Sequence, residues 1–299
     1  MHTPVLQKEV IDFLDPKPNE NFVDATIGGG GHTFEILKRT APAGKILGID
    51  LDESAIESLR INALGEEINE RLILTQGNFA DLEKIVAENN FWPINGILAD
   101  LGISSTELEA SGRGFSFLKD EPLDMRFSKK TLVSAKEIIN QWPEEEIAKI
   151  IRQYGEEKFS RQIAKKIIER RKIKPIITSR QLTEIIKEAT PFWYHNRKIH
   201  PATKTFQALR IAVNDELVNL NIFLPSALNV LTPGGRLVII SFHSLEDRIV
   251  KNFFREKKNQ RLIKVLTKKP VKPSSEEIFK NPRSRSAKLR AAVKLLVKK

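Results

Sequence analysis

An α/β fold is the architecture this sequence predicts: a doubly wound, mostly parallel seven-stranded sheet with an inserted helical domain. Three observations predict it. Short apolar runs alternate with amphipathic stretches through the first hundred residues; a glycine cluster joins the first run to the stretch after it; and the alternation returns after a long strand-free segment. Strands that alternate with helices imply parallel βαβ units, whose right-handed crossovers bring the strand carboxyl ends to one edge. In open sheets of this kind ligands bind along that edge.

The elements follow in order. Asn21–Ile27 reads as a buried strand, Gly28 to Gly31 as a turn, and the stretch from about His32 to Lys38 as a helix. Lys45–Asp50, Arg71–Gln76 and Gly96–Gly102 read as the next three strands, with a helix from about Glu53. After Gly102 the pattern changes. Ser111-Gly112-Arg113-Gly114 and Glu121-Pro122 break the chain, and helices follow. Pro143 suits the first position of a helix over Glu144–Ile151, and Thr178 with Gln181 has capping-box spacing ahead of Leu182–Ala189. Phe206, Leu209, Val213, Leu217, Leu220 and Leu224 recur at three and four, predicting one helix that Pro225 kinks or ends. Arg236–Phe242 reads as a strand, Leu245–Lys258 as a basic helix, and Leu262–Leu266 and Leu289–Leu296 as a last pair of strands, antiparallel to each other. The expected division is a discontinuous domain of residues 1–108 and 198–299, with a helical insert at 109–197.

Composition bounds the chemistry. The chain has 299 residues, 40% hydrophobic and 29% charged. That is a globular balance, and it argues against wholesale disorder. The chain has no cysteine, which excludes disulfides, thiolate metal sites and a cysteine nucleophile. Residues 1–18 lack the order of a signal peptide, and no run approaches the roughly 20 apolar residues of a membrane span. The expectation is a cytoplasmic protein without membrane contact. Of the net charge of +11, residues 251–299 hold seventeen Lys or Arg against three acids, a surplus of fourteen, so the preceding residues carry −3. This footprint suits nucleic acid; a solvated basic tail or a membrane-surface patch is the bland alternative.

Asp24-Ala25-Thr26-Ile27-Gly28-Gly29-Gly30 leaves a strand and enters a helix, where glycine lets backbone turn tightly against a ligand. The dinucleotide fingerprint G-x-G-x-x-G fails in both frames, ending on Thr33 or Phe34, and the phosphate loop fails because His32 follows Gly31. What remains, D-x-x-x-G-x-G, is similar to the S-adenosylmethionine (SAM) loop of Rossmann-like class I methyltransferases. Asp50 ends the second strand, where an acid can accept both ribose hydroxyl protons; Asp52 is the better helix cap. Phe79 follows the third strand, where its face could lie against adenine or simply join the core. Asp100 ends the fourth strand in Asp100-Leu101-Gly102-Ile103-Ser104-Ser105. This resembles amino-methyltransferases acting on bases, in which acceptors hold both hydrogens of an exocyclic amine and aim its lone pair. Without a cysteine, carbon-5 methylation of a pyrimidine is disfavoured, and nitrogen, oxygen or substrate-activated carbon targets remain.

From His2-Thr3-Pro4-Val5-Leu6 almost to the end, the chain resembles the MraW family of bacterial ribosomal RNA small subunit methyltransferases. The blocks are Gly29-Gly30-Gly31-His32, Asp100–Ser105, Arg113-Gly114-Phe115-Ser116-Phe117, Pro122-Leu123-Asp124-Met125-Arg126, His200-Pro201-Ala202-Thr203 through Arg210, Ser241-Phe242-His243-Ser244-Leu245-Glu246-Asp247-Arg248 and Asn281–Ala287. The resemblance implies SAM-dependent methylation of a cytosine N4 amine in the decoding region of 16S rRNA, within the small ribosomal subunit or its precursor. It implies SAM contacts at Gly30, Gly31, His32, Asp50, Phe79 and Asp100, with Asp100 catalytic. A further contact, usually Gln, is Glu107 here, a departure that adds negative charge near a cationic cofactor.

Other features admit two readings. Arg113–Phe117 imitates an RNA-recognition strand motif but lies in a loop, and is kept as a candidate lid over the base. His2, His32, His200 and His243 match no zinc spacing, so no metal is expected. His200 and His243 adjoin family blocks and are candidate substrate contacts. Arg126 and Arg210 could grip phosphate or pair with carboxylates that hold the insert in place. The insert is expected to help select RNA, and the target base to be unpaired or flipped.

Overall fold

A computed structural model of the protein describes residues 4–62, 66–102 and 112–296. The strands are β1 (Phe22–Asp24), β2 (Ile46–Asp50), β3 (Leu72–Gln76), β4 (Gly96–Asp100), β5 (Arg236–Ser241), β6 (Ile263–Val265) and β7 (Lys288–Lys294), in the spatial order β3-β2-β1-β4-β5-β7-β6. The first five run parallel, and β7 is antiparallel to both β5 and β6. The winding reverses between β1 and β4, the position at which such sheets open a crevice at their carboxyl edge.

Both faces of the sheet are covered, which is why its strands read as continuous apolar runs rather than as alternating ones. In β4 and β5 successive side chains go to opposite cores. Ile97, Ala99, Leu237 and Ile239 pack with helices Leu82–Glu88, Glu216–Val230 and Ser244–Asn259. Leu98, Val238 and Ile240 pack with helices Gln7–Leu14, Gly31–Arg39 and Glu53–Asn62.

The chain divides into two compact units, Met1–Gly102 with Leu217–Lys299, and Ile103–Glu216. The second unit is helical, with helices Ala135–Gln141, Glu144–Gly155, Ser160–Ile173, Ser179–Glu188, Phe192–His195 and Thr203–Asn214 around its own core of Ile138, Ile147, Ile151, Ile163, Leu182 and Leu209. It extends past the expected limit of 197 because Phe206, Leu209 and Val213 bury in that core. Thr178 and Gln181 form the expected capping box, while Pro143 occupies the N-cap, one position before the first helical residue.

The single helix expected from Phe206 to Leu224 is also corrected. The periodic run from Phe206 to Leu224 is two helices, broken at Asp215, which adopts a left-handed φ of 50°. Pro225 does not end the second helix, which runs on to Val230 because Leu224, Ala227, Leu228 and Val230 continue its buried face. Tertiary burial there outweighs the hydrogen bond that the proline removes.

Candidate active site

Three of the parallel strands end in aspartate. Asp24 pairs in register with Gly48 and Leu98, so it lies two residues deeper than Asp50 and Asp100. Two residues make one pleat, about 6.6 Å, and return to the same face. One acid therefore sits beneath two at the rim, on the face that carries helix Gly31–Arg39.

The loop between β1 and that helix is held by these acids and by hydroxyls. Thr33 Oγ1 donates to Asp24 Oδ2 at 2.7 Å, the Asp100 N–H donates to Thr26 Oγ1 at 2.7 Å, and the Gly28 N–H donates to Asp50 Oδ2 at 2.9 Å. Gly30 caps the helix with φ 73°. A residue with a Cβ would lose about 1–2 kcal/mol in that left-handed conformation. A Cβ on Gly31 would lie 2.3 Å from Pro4 Cγ, so that turn admits no side chain. His32 follows, buried, with Nε2 3.8 Å from Asp100 Oδ2.

At the second strand, Asp50 Oδ1 accepts from the Asp52 N–H at 2.9 Å, and Asp52 in turn accepts from the Ser54 N–H at 3.2 Å, the capping role expected of it. The Gly77 N–H donates to the Asp50 carbonyl at 2.8 Å, tying the turn that carries Phe79 to the end of β2. Phe79 is half-buried and sets its ring edge-to-face with Phe223 at 5.1 Å.

Burial dominates the electrostatics. It pushes Asp24 up to about 6, against the hydrogen bonds from Thr33 and Thr26. It pushes Asp100 up to about 7, helped by the charges of Asp24 and Glu246. Asp50 is also raised by burial, against its backbone donors. The Asp100 side chain is 22% exposed, yet its Oδ1 is buried with no hydrogen-bond partner among the described residues. No lysine or arginine forms an ion pair with Asp24, Asp50 or Asp100 among the described residues. Such an edge is built to receive positive charge and hydrogen-bond donors.

His243 stands just beyond β5 and serves as the N-cap of helix Ser244–Asn259. Its Nδ1 accepts from the Glu246 N–H, and Glu246 Oε2 accepts from the Phe242 N–H at 2.8 Å. Glu246 is a site acid that sequence reasoning misses; its three-residue spacing from His243 is the available signal. Asp24 enters the sequence reading only as part of a loop motif, because its contact with Thr33 cannot be seen without the helix.

The remaining candidates lie on the helical unit, engaged in scaffolding. Arg126 Nε and Nη2 donate to Asp124 at 2.7 and 2.8 Å, and Arg210 Nε and Nη2 donate to Glu216 at 2.8 and 2.9 Å. The carboxylate-pairing alternative thus describes their geometry. His200 stacks on Phe117 at 4.6 Å and accepts from the Ala202 N–H; burial, with Lys187 and His195 nearby, lowers its pKa. Arg113 Nη1 donates to the carbonyls of Arg126 and Phe127, which fixes the Arg113–Phe117 block in its own unit. Glu107 lies outside the described residues.

Comparison with known proteins agrees in one direction. A family model described as the MraW methylase family matches residues 1–295. The chain is similar to ribosomal RNA small subunit methyltransferase H of Kosmotoga olearia, at 47% identity over 98% of this chain and 97% of that one. The proteins of that name from Geobacter sulfurreducens and Syntrophotalea carbinolica are 46% and 45% identical, each over 98% of this chain and over 99% and 98% of their own.

Proposed function

Since the chain belongs to the MraW methylase family, we propose that it transfers a methyl group from SAM to the exocyclic N4 amine of a cytosine in the decoding region of 16S rRNA, in the small ribosomal subunit or its precursor. The observation that carries this reading is Asp100 Oδ1, a buried acceptor without a partner among the described residues, at the carboxyl edge of a parallel sheet.

When bound, SAM supplies an electrophilic methyl group on a positively charged sulfur. The residues fit such a group, since three acids that pair with no lysine or arginine among the described residues lie at or just beneath the edge, and two titrate near neutrality. Gly30, Gly31 and His32 would line its amino-acid portion, Asp50 its ribose and Phe79 its adenine; Glu107 is carried over from the family alone. Asp50 spends one lone pair of each oxygen on a backbone N–H, and a carboxylate has about four, so acceptors remain for ribose hydroxyls.

The lone pair of a cytosine amine is delocalised into the ring. Asp100 accepts the amine's hydrogens, favours a pyramidal nitrogen and aims the lone pair along the line of attack, an orientation effect. With a pKa of about 7 it can also take the departing proton, in competition with water. The base must be unpaired or flipped to present this amine. The helical unit would select RNA, with His200 as a substrate contact there and Arg126 and Arg210 held in support of it. His243 would shape the rim of the site as a helix cap.

Titration of the protein with SAM and with NAD in a calorimeter tests the pocket, and mass spectrometry of nucleosides from treated 16S rRNA identifies the atom. SAM should bind and NAD should not, and Asp50→Ala should weaken SAM binding by more than about 1 kcal/mol, as expected for a charged hydrogen bond. Binding unchanged in the Asp50→Ala protein would remove the proposed pocket. A methyl group found on another atom would remove the proposed target.

A further inference from the structure

The helical unit carries an aromatic cluster that its core does not use. Phe192, Trp193 and Tyr194 are consecutive in the short helix Phe192–His195. Tyr194 is buried, but Phe192 is 78% exposed and Trp193 is 54% exposed. Two adjacent large aromatics left in water are unusual unless something covers them.

The cluster is anchored through Tyr194. The Tyr194 hydroxyl donates to Glu157, a fully buried carboxylate that also accepts from the Phe159 N–H at 2.9 Å. A buried carboxylate needs hydrogen-bond donors, and the Tyr194 hydroxyl is one of the two that Glu157 has among the described residues, which ties the ring to this position. Phe159 packs edge-on against both Tyr194 at 5.0 Å and Trp193 at 6.1 Å. At the other end, Thr190 Oγ1 and His195 Nε2 are 2.9 Å apart.

The surroundings are basic. The Lys158 ammonium lies 4.5 Å from the Trp193 ring centre and 4.8 Å from that of Phe159, and the Arg197 guanidinium lies 5.4 Å from that of Tyr194. Residues 189–204 contain Arg197, Lys198 and Lys204 and no acid. Exposed Arg161 and Lys165 follow on helix Ser160–Ile173, four residues apart and hence on one face.

Fixed aromatic faces beside cations that track a backbone are the arrangement by which proteins hold single-stranded nucleic acid, because every base has a π-face and every linkage a phosphate. We propose that Phe192 and Trp193 form a stacking platform for unpaired bases of the RNA substrate, with Lys158 and Arg197 meeting the flanking phosphates. This rests on the RNA-substrate reading above and adds to it a location within the helical unit. Charge complementarity selects RNA over an apolar protein partner, since positive charge borders the aromatic faces and the Glu157 carboxylate beneath them is buried in the anchor.

The test is fluorescence anisotropy with a labelled, unstructured RNA of about ten nucleotides and with a duplex of the same sequence. Phe192→Ala and Trp193→Ala, both at exposed positions, should each weaken single-strand binding about tenfold, and Trp193→Phe, which keeps a π-face, should restore most of it. Duplex binding and calorimetric SAM binding should not change. Lys158→Ala should reduce the slope of log affinity against log salt by about 0.7, one phosphate's share. Single-strand affinity unchanged in both alanine variants overturns the platform, as does equal loss for single strand and duplex, or a Trp193-dependent affinity for anionic phospholipid vesicles in place of RNA. If the wild-type protein methylates 16S rRNA while these variants bind RNA normally, only the platform fails. If the wild-type protein neither binds nor methylates RNA, the substrate reading fails with it.

Discussion

At the scale of single residues the site turns on Asp100. Its carboxyl is raised to about 7 by burial first and by Asp24 and Glu246 second, so it is protonated in mildly acidic solution. A neutral carboxyl neither attracts a sulfonium nor accepts both hydrogens of an amine. SAM affinity and methyl-transfer rate should therefore fall as pH drops below about 7 and level off above it. In the Asp100→Asn protein the inflection near 7 should vanish from a calorimetric pH series, leaving at most the lower step of Asp24. An unaltered inflection in that variant would assign the titration to another group. The position of Asp100 is legible from the sequence because an acid at the end of an apolar run in a βαβ pattern has only one place to go. Its orphaned Oδ1 is not legible, because that depends on what fails to reach it from neighbouring strands.

At the scale of elements, local rules carry most of the reading. The glycine cluster lies where a strand hands over to a helix, and Gly31 meets Pro4 at a distance that only a missing Cβ allows. Spacing alone places Thr178 and Gln181, and both reciprocal bonds of the box are formed. Thr178→Ala should cost about 1 kcal/mol of stability in urea denaturation, with no change in SAM affinity. A loss below a few tenths would mean that the cap is frayed in solution. The run from Phe206 to Leu224 shows where local rules fail. Its spacing continues across Asp215, where the chain turns into a left-handed conformation, and periodicity carries no record of φ. Composition is silent in the same way about the last residues. Their basic character alone allows a solvated tail, yet Leu289, Ala291 and Ala292 are buried in a strand.

At the scale of the whole molecule, folding narrows the electrostatic footprint. Of the basic residues in the last sixth of the chain, Arg290 and Lys288 pair with Asp247, and the Lys294 ammonium donates to the carbonyls of Asn229 and Leu231. Lys264, Lys268, Lys269 and Lys272 include the more exposed cations and are the better candidates for phosphate contact. Replacing Lys268, Lys269 and Lys272 together with alanine should flatten the salt dependence of RNA affinity by about 2 in logarithmic slope. An unchanged slope would move the phosphate contacts elsewhere. The net charge is legible from composition; its availability depends on which cations the fold has already engaged.

The position of β7 has a consequence for synthesis. It lies between β5 and β6 and bonds both, although both precede it in the chain. Until Lys288–Lys294 emerges, β5 presents a bare border and β6 has no neighbour in the sheet, whereas the helical unit is complete by Glu216. A nascent chain thus waits with one half-built unit and one finished one, its apolar border open to other chains. A chain cut short ahead of Lys288 would lose the closing stave of the sheet rather than a disposable appendage.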